Sequence, residues 1–124
     1  MRLLIDSNAF LWWSEASPRL GTSARQAIGD PANEVVISIA ALWEITIKTS
    51  LGKLTVPSNI ETMVMTQGFS VLHIDFDHLR RVAALPRIHK DPFDRLIIAQ
   101  ALCAGIPIAT ADRRFAAYGV QIIW

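Results

Sequence analysis

The sequence has a single cysteine and no apolar stretch long enough to cross a membrane. Cys103 lies in the apolar segment ALCA, which excludes an intrachain disulfide and a cysteine-based zinc site and favours a small core residue in a reducing compartment. No apolar run approaches the roughly 18 to 20 residues that span a bilayer. The segment MRLLIDSNAF has an early Asp6, unlike a secretory signal peptide. We therefore expect a cytoplasmic protein without a membrane partner.

Several motifs of small-molecule enzymes are also missing. Neither GxGxxG nor GxxxxGK[ST] occurs, which excludes dinucleotide-binding and P-loop sites, and GxSxG is absent too. The three histidines lack the spacing of metal ligands. His73 falls in a predicted buried strand and His78 on a predicted helix. His89 falls in a loop, where contact with a substrate phosphate is an alternative to a purely structural role.

What the sequence does contain is a regular alternation of short apolar runs and helical patterns. Its 124 residues, 52% of them hydrophobic, fit one domain with a filled core. The spacing predicts buried strands at 3–6, 35–38, 71–74, 106–110 and 120–123 and helices near 22–29, 40–51, 59–67, 76–85 and 92–104. This alternation predicts an α/β fold with a parallel sheet and helices on both faces.

Four carboxylates from distant segments are predicted at one edge of that sheet. Asp6 and Asp112 follow the first and fourth strands, Glu44 lies early in the helix after the second strand, and Asp94 lies at the start of the helix that leads into the fourth. The carboxyl ends of parallel strands share an edge, where functional groups gather. Clustered carboxylates repel one another unless a cation joins them, and an all-oxygen set suits Mg²⁺ or Mn²⁺.

Each carboxylate also has a structural interpretation. Asp6 and Asp112 can cap the helices that follow them, and Glu44 can pair with Lys48 one helical turn later. In HKDPFDRLIIAQAL, Asp91 is a good N-cap and Asp94 falls where a carboxylate meets the positive end of the helix. Any one residue considered alone leaves both interpretations open.

Four segments taken together resemble a known family. LLIDSNAFLWW, ISIAALWEITIKTSLGKL, HKDPFDRLIIAQAL and IATADRRFAAYGVQIIW, in that order, resemble PIN-domain proteins and more narrowly the VapC-type ribonuclease toxins. The resemblance covers the chain nearly end to end. It implies a single PIN domain over residues 1–124, with a three-layer α/β/α fold whose five-stranded, mainly parallel sheet is flanked by helices.

The resemblance also implies an activity and a set of site residues. It implies a Mg²⁺- or Mn²⁺-dependent endoribonuclease that hydrolyses RNA phosphodiesters. The implied catalytic and metal-binding quartet is Asp6, Glu44, Asp94 and Asp112, supported by Ser7, Asn8 and Thr110. Asp91 is implied to be a cap outside the quartet.

The basic residues suggest how RNA would be held. If a metal neutralised the quartet, seven acidic residues would remain against twelve Lys and Arg. The candidates for contact with the RNA backbone are Lys48, Lys53, Arg87, Lys90, Arg95, Arg113 and Arg114. Arg95 and Arg113 each adjoin a quartet acid, which makes them the favoured RNA contacts. A solvated surface charge is the alternative for every one of them.

Protein partners are implied by the resemblance as well. It implies a VapB-type antitoxin that wraps the toxin and obstructs the acidic pocket, and a homodimer. The apolar residues Ile60, Met63 and Val64 are candidates for either interface. Trp12 and Trp13 are interpreted as core or dimer packing, as is Trp43, although base stacking by one of the first pair is an alternative.

Other functions remain open at this stage. A receiver-like signalling module would need an acidic pair after the first strand, and a haloacid dehalogenase-type phosphatase would need DxD there, whereas this chain has Asp-Ser-Asn. The more serious alternative is a non-catalytic PIN-like module that binds RNA or protein.

Overall fold

The structure, a computed structural model, describes residues 1–124 and is built on one five-stranded sheet. The strand order is β3-β2-β1-β4-β5, and all four neighbouring pairs are parallel. The strands are β1 (Arg2–Ile5), β2 (Glu34–Ser38), β3 (Ser70–Leu72), β4 (Ile108–Ala109) and β5 (Ile122–Ile123). The predicted α/β fold with helices flanking a five-stranded sheet is confirmed.

Six α-helices and one 3₁₀ helix connect the strands. They are α1 (Ser7–Ser14), α2 (Thr22–Gly29), α3 (Ile39–Ser50), α4 (Ile60–Gln67), α5 (Phe76–Ala84), α6 (Pro92–Ala104) and the 3₁₀ helix Arg113–Tyr118. Most begin at a side chain that accepts a hydrogen bond from the first helical turn, which satisfies a backbone N–H that the helix itself leaves unpaired. None of the helices combines the length and the apolar content needed to cross a membrane.

The central strands lie inside the core because helices cover both faces of a parallel sheet. Leu3, Leu4 and Ile5 of β1 have no exposed surface, and neither has Ile108 of β4. Burying each such side chain contributes on the order of 2 kcal/mol of hydrophobic free energy. These rigid strands fix the positions of the residues that follow them at the carboxyl edge.

Three expectations about individual elements were wrong in detail. The strand expected over 71–74 ends at Leu72 and lies at the sheet edge, so His73 is exposed rather than buried. The run 106–110 contributes only two residues to β4. Cys103 is exposed because the outward face of α6 carries it, so it is not a core residue.

Candidate active site at the carboxyl edge of the sheet

The sheet topology brings the four predicted carboxylates into one pocket. Asp6 directly follows β1, Asp112 comes shortly after β4, α3 begins where β2 ends, and α6 leads back into β4. The pocket has a volume of about 370 Å³ and is lined by Asp6, Ser7, Asn8, Glu44, Lys48, Asp91, Asp94, Ala111, Asp112 and Arg114. Only one lining residue is hydrophobic, so the pocket suits a charged or strongly hydrated ligand.

Asp6 is the most deeply buried of the four carboxylates, with 8% of its surface exposed. Its Oδ1 accepts the backbone N–H of Ala9 at 2.8 Å, so it caps α1 as the structural interpretation expected. Burial raises the pKa of Asp6, and the charges of Glu44 and Asp112 add to the rise, whereas hydrogen bonds from Thr110 and Ala9 oppose it. The Asp6 carboxylate therefore caps α1 and lines the pocket at the same time.

Glu44 is held by one hydroxyl and one ammonium. Its Oε1 accepts the Ser7 hydroxyl at 2.6 Å, and its Oε2 contacts Lys48 Nζ at 2.9 Å. The expected ion pair with Lys48 thus exists, yet only 12% of the Glu44 side chain is exposed because it faces the pocket. Glu44 therefore forms the helical ion pair and also lines the acidic pocket.

Asp91 and Asp94 divide the roles at the start of α6. Asp91 Oδ1 accepts the backbone N–H groups of Phe93 at 2.8 Å and Asp94 at 3.1 Å, so Asp91 is the N-cap. Asp94 places its carboxylate among the other acids instead. Burial raises the pKa of Asp94 to about 7, and the charges of Asp91, Glu44, Asp6 and Asp112 contribute to the rise.

Asp112 is the carboxylate with the strongest cationic partner. Arg114 donates to both of its oxygens, with Nε at 2.9 Å from Oδ1 and Nη2 at 2.6 Å from Oδ2. Hydrogen bonds from Arg114, together with one from His89, hold the pKa of Asp112 well below its usual range despite partial burial. Asp112 and Asp94 therefore have opposite pKa shifts within one pocket.

His89 is the site residue that sequence reasoning missed. Its side chain is 3% exposed, and its Nε2 lies 2.8 Å from Asp112 Oδ2 and 3.2 Å from Asp94 Oδ2. The three ligand-type atoms of His89, Asp94 and Asp112 lie within 4.8 Å of one another. The three histidines do not come together, as their spacing indicated, but His89 alone joins two carboxylates of the predicted quartet. The sequence signal that could have indicated it is its position two residues before Asp91, in the segment that leads to the N-terminus of α6.

The three predicted supporting residues all lie at the pocket. Ser7 bonds Glu44, as described, and Asn8 lines the opening with an exposed side chain. Thr110 is fully buried, accepts the backbone N–H of Asp112 at 3.0 Å through Oγ1, and hydrogen-bonds Asp6. Thr110 therefore links the Asp6 carboxylate to the backbone of Asp112.

The predicted RNA-binding residues do not share one surface pocket. Lys48 lines the acidic pocket, whereas Lys90 and Arg95 line a separate cleft of about 390 Å³ with Arg87. Arg113 is exposed on the 3₁₀ helix. The arginine that forms an ion pair with Asp112 is Arg114, which was not among the favoured contacts.

The guanidinium of Arg95 is used inside the protein. It donates to the carbonyl oxygens of Pro86 at 2.8 Å, Val82 at 3.2 Å and Leu85 at 3.3 Å. These carbonyls belong to the last turn of α5 and the two residues after it, where a helix leaves acceptors unpaired. RNA binding by Arg95 stays a prediction, and the structure gives the side chain a separate role in holding the segment before α6.

The donor set of the pocket fits a hard divalent cation. Its carboxylate oxygens are the ligands that Mg²⁺ and Mn²⁺ prefer. The raised pKa values of Asp6 and Asp94 show that burying these charges together is unfavourable without a cation. Asp6, Glu44, Asp94 and Asp112 are the residues that could hold such an ion.

Comparison with known proteins identifies the family. The model of the PIN domain family matches residues 3–121, and the chain therefore belongs to the PIN domain family. Ribonuclease VapC22 of Mycobacterium tuberculosis is 30% identical over 123 residues, which cover 90% of this chain and 88% of that protein. The resemblance to VapC-type toxins is thereby confirmed.

Solved structures show the same fold at lower sequence identity. VapBC2 from Rickettsia felis, bound to a DNA fragment from its promoter, superposes with a TM-score of 0.69 at 13% identity, covering 98% of this chain and 97% of that one. VapC20 of Mycobacterium tuberculosis, a toxin that cleaves the sarcin-ricin loop, gives a TM-score of 0.63 at 16% identity over 95% of each chain.

Proposed function

We propose that the protein is a Mg²⁺- or Mn²⁺-dependent endoribonuclease and the toxin of a toxin–antitoxin pair. The observation that carries this proposal is the convergence of Asp6, Glu44, Asp94 and Asp112 on one polar pocket. Family membership supports it, as does the ribonuclease name of the 30% identical relative. The proposed reaction hydrolyses an RNA phosphodiester and leaves a 5′-phosphate on one product.

The proposed roles follow from how each side chain is held. A divalent cation bound by the quartet supplies charge for the developing oxyanions and acidifies water near neutral pH. Thr110 keeps Asp6 and Asp112 at a fixed separation, and Ser7 orients Glu44 towards the pocket. Lys48, on the pocket wall, offers a positive charge to an incoming phosphate.

Cleavage of total bacterial RNA by purified protein tests the activity. In Mg²⁺ we expect discrete fragments whose 5′ ends carry phosphate, and mapping those ends identifies the target. EDTA and the variant Asp6→Asn are each expected to abolish the fragments, because both remove the carboxylate–cation contact. Intact RNA from a protein that binds no Mn²⁺ would contradict the proposal and favour the non-catalytic binding module.

We further propose that a VapB-type antitoxin docks on an apolar groove beside the acidic pocket. The groove has a volume of about 940 Å³, and its wall includes Trp43, Ile60, Met65 and Val71. Trp43 is 57% exposed and Met65 is 79% exposed, although both are large apolar residues. Trp43 directly precedes Glu44, so a segment in this groove would approach the quartet.

The residues expected at this interface need one correction. Met63 and Val64 are buried in the chain's own core, at 5% exposure each, so they offer little surface to a partner. We expect growth arrest when this chain is expressed alone and relief by its antitoxin. Trp43→Arg should prevent that relief while the purified variant still cleaves RNA; full relief would contradict this groove.

A homodimer is part of the same proposal. Trp12 and Trp13 are partly buried against the core, and Trp12 packs edge-on against Trp124 with ring centroids 5.8 Å apart. Sedimentation equilibrium at micromolar concentration should give twice the 13.8 kDa mass of one chain. A monomer mass across that range would contradict the dimer.

A further inference from the structure

We propose that His89 is a positioning residue that holds the Asp112 carboxylate through a single, fixed imidazole tautomer. This inference rests on the proposed metal-dependent function, since it concerns how the cation site is built. It extends that function to a residue outside the acidic quartet.

The tautomer follows from the hydrogen bonds on the two ring nitrogens. The backbone N–H of Asp91 donates to His89 Nδ1 at 3.1 Å, so Nδ1 must carry a lone pair. The proton of the neutral ring is then on Nε2, which lies 2.8 Å from Asp112 Oδ2 and, farther away, 3.2 Å from Asp94 Oδ2. Nε2 therefore donates a hydrogen bond to the carboxylate and has no lone pair for a metal. In this arrangement His89 orients a ligand and is not one itself.

The ring has little freedom to adopt another orientation. His89 is 3% exposed and packs edge-on against Phe115, with ring centroids 5.7 Å apart and an interplanar angle of 78°. Phe115 is fully buried and lies in the 3₁₀ helix that begins immediately after Asp112. The ring and the carboxylate that it contacts are thus held by the same short helix.

The backbone of His89 is fixed by a second set of contacts. Its N–H donates to Tyr118 Oη at 2.8 Å, and that hydroxyl donates to the carbonyl of Pro86 at 2.8 Å. Arg95 donates to the same Pro86 carbonyl and also contacts Tyr118 Oη at 3.4 Å. Arg95 and Tyr118 therefore anchor the segment that presents His89, which accounts for the intramolecular hydrogen bonds of Arg95.

The consequence concerns the shape of the cation site. Asp112 has two partners, but Arg114 is exposed on the protein surface whereas His89 is buried. An exposed arginine can leave the carboxylate when a cation or phosphate arrives, and a buried ring cannot. His89 is therefore the partner that continues to orient Asp112 while the site is in use.

Two substitutions of His89 test the two hydrogen bonds of its ring one at a time. In His89→Gln the terminal amide reaches as far as Nε2 and can donate to Asp112. In His89→Asn the shorter amide reaches only the position of Nδ1, so it can accept from Asp91 but cannot reach Asp112. We expect His89→Asn to weaken Mn²⁺ binding by about tenfold and His89→Gln to stay within about threefold of the unchanged protein. Calorimetric titration with Mn²⁺ alone measures both, with circular dichroism as the check of folding.

A spectroscopic measurement on the unchanged protein tests the tautomer directly. Long-range ¹H–¹⁵N correlation spectra of the metal-free protein should show His89 with a protonated Nε2 and an unprotonated Nδ1. The opposite tautomer would overturn the inference, even if both variants failed to fold. Equal Mn²⁺ affinities for His89→Asn and the unchanged protein would overturn it too.

The outcomes also separate this inference from the proposed function. If the unchanged protein binds Mn²⁺ but cleaves no RNA, the proposed nuclease fails, while the difference between His89→Asn and His89→Gln still decides the role of the ring. If it binds no Mn²⁺ at all, the cation site and the positioning role fail together.

Discussion

The acidic pocket has two sides that accommodate their carboxylates differently. On the strand side, Asp6 and Glu44 are held by groups close to them, namely a helix N-terminus, two hydroxyls and Lys48. On the α6 side, Asp94 and Asp112 lie next to His89, but Arg114 pairs with Asp112 alone. The pKa of Asp112 is lowered and that of Asp94 is raised to about 7.

This difference shows that the nearest partner, rather than the charge of the pocket as a whole, decides which carboxylate keeps a proton. Both acids of the α6 side experience the negative charges of their neighbours. Only Asp112 has a guanidinium within hydrogen-bonding distance to offset them. Of the two acids on the α6 side, Asp94 is therefore the one that lacks a cationic partner and most needs a cation.

The largest expected effect is a fall in the stability of the metal-free protein between about pH 4 and pH 7. Asp94 has a folded-state pKa of about 7, above the 3.8 of a free Asp side chain. Below pH 4 the proton is bound in both states; as the pH rises towards 7, the unfolded state loses it first, so folding loses stability. Once both states have lost the proton, the accumulated loss is at most roughly 4 kcal/mol.

Urea unfolding in EDTA at several pH values measures this fall. Asp94→Asn has no proton to lose at this position, so its profile should fall less steeply and the variant should be more stable than the unchanged protein at pH 8. Part of the fall should persist, because the pKa of the buried Asp6 is raised as well. Mn²⁺ should restore the stability of the unchanged protein at that pH. A stability that rises from pH 5 to pH 8 in EDTA would contradict the assignment of a protonated Asp94.

The next effect compares the two aspartates at the start of α6. Asp94→Asn should reduce RNA cleavage by about 100-fold or more, because it removes a charge from the proposed cation site. Asp91→Asn is the matched control, since asparagine is an equally good N-cap, and it should retain activity within about fivefold. The initial rate of cleavage of the mapped RNA measures both variants. Equal losses of cleavage rate in the two variants would contradict the division of roles between Asp91 as cap and Asp94 as site residue.

Sequence periodicity predicted the helices and the parallel sheet because its signals are local. Helix α6 was predicted over 92–104 and observed over Pro92–Ala104, since the Asp91 cap, a proline at the first position and Gly105 with a φ of 65° mark its ends. The convergence of Asp6, Glu44, Asp94 and Asp112 followed from the parallel topology alone. Each of these inferences needed only neighbouring residues or the alternation of strands and helices that predicts a parallel sheet.

The rest depended on contacts between distant segments. His89 is buried because Phe115 and Tyr118, nearly 30 residues later, pack against it and its backbone. The role of Arg95 is fixed by carbonyls that precede it by up to 13 residues. A local pattern assigns a histidine in a loop and an arginine beside an acid to the surface, and only the tertiary structure shows otherwise.

A smaller effect is expected on the strand side. Ser7→Ala removes the hydroxyl that donates to Glu44 Oε1 at 2.6 Å, and Lys48 remains as the other partner. We expect a loss of about 1 to 2 kcal/mol in the free energy of unfolding, because a mostly buried carboxylate loses one hydrogen bond. Urea unfolding measures it, with the exposed Ser23→Ala as a control that should change stability by less than about 0.5 kcal/mol. Equal values for the two variants would mean that the hydroxyl does not stabilise Glu44.

The smallest effect concerns Arg114, the exposed arginine that pairs with Asp112 but not with Asp94. Arg114 occupies both oxygens of Asp112, so it competes with a cation for them and adds a repelling charge. Arg114→Gln should therefore tighten Mn²⁺ binding by about threefold, and solvent screening keeps the effect this small. Arg113→Gln, which removes the same charge one residue earlier, should change the affinity less. Titration of both variants with Mn²⁺ decides: a weaker affinity for Arg114→Gln would mean that the arginine helps to assemble the site instead of competing for Asp112.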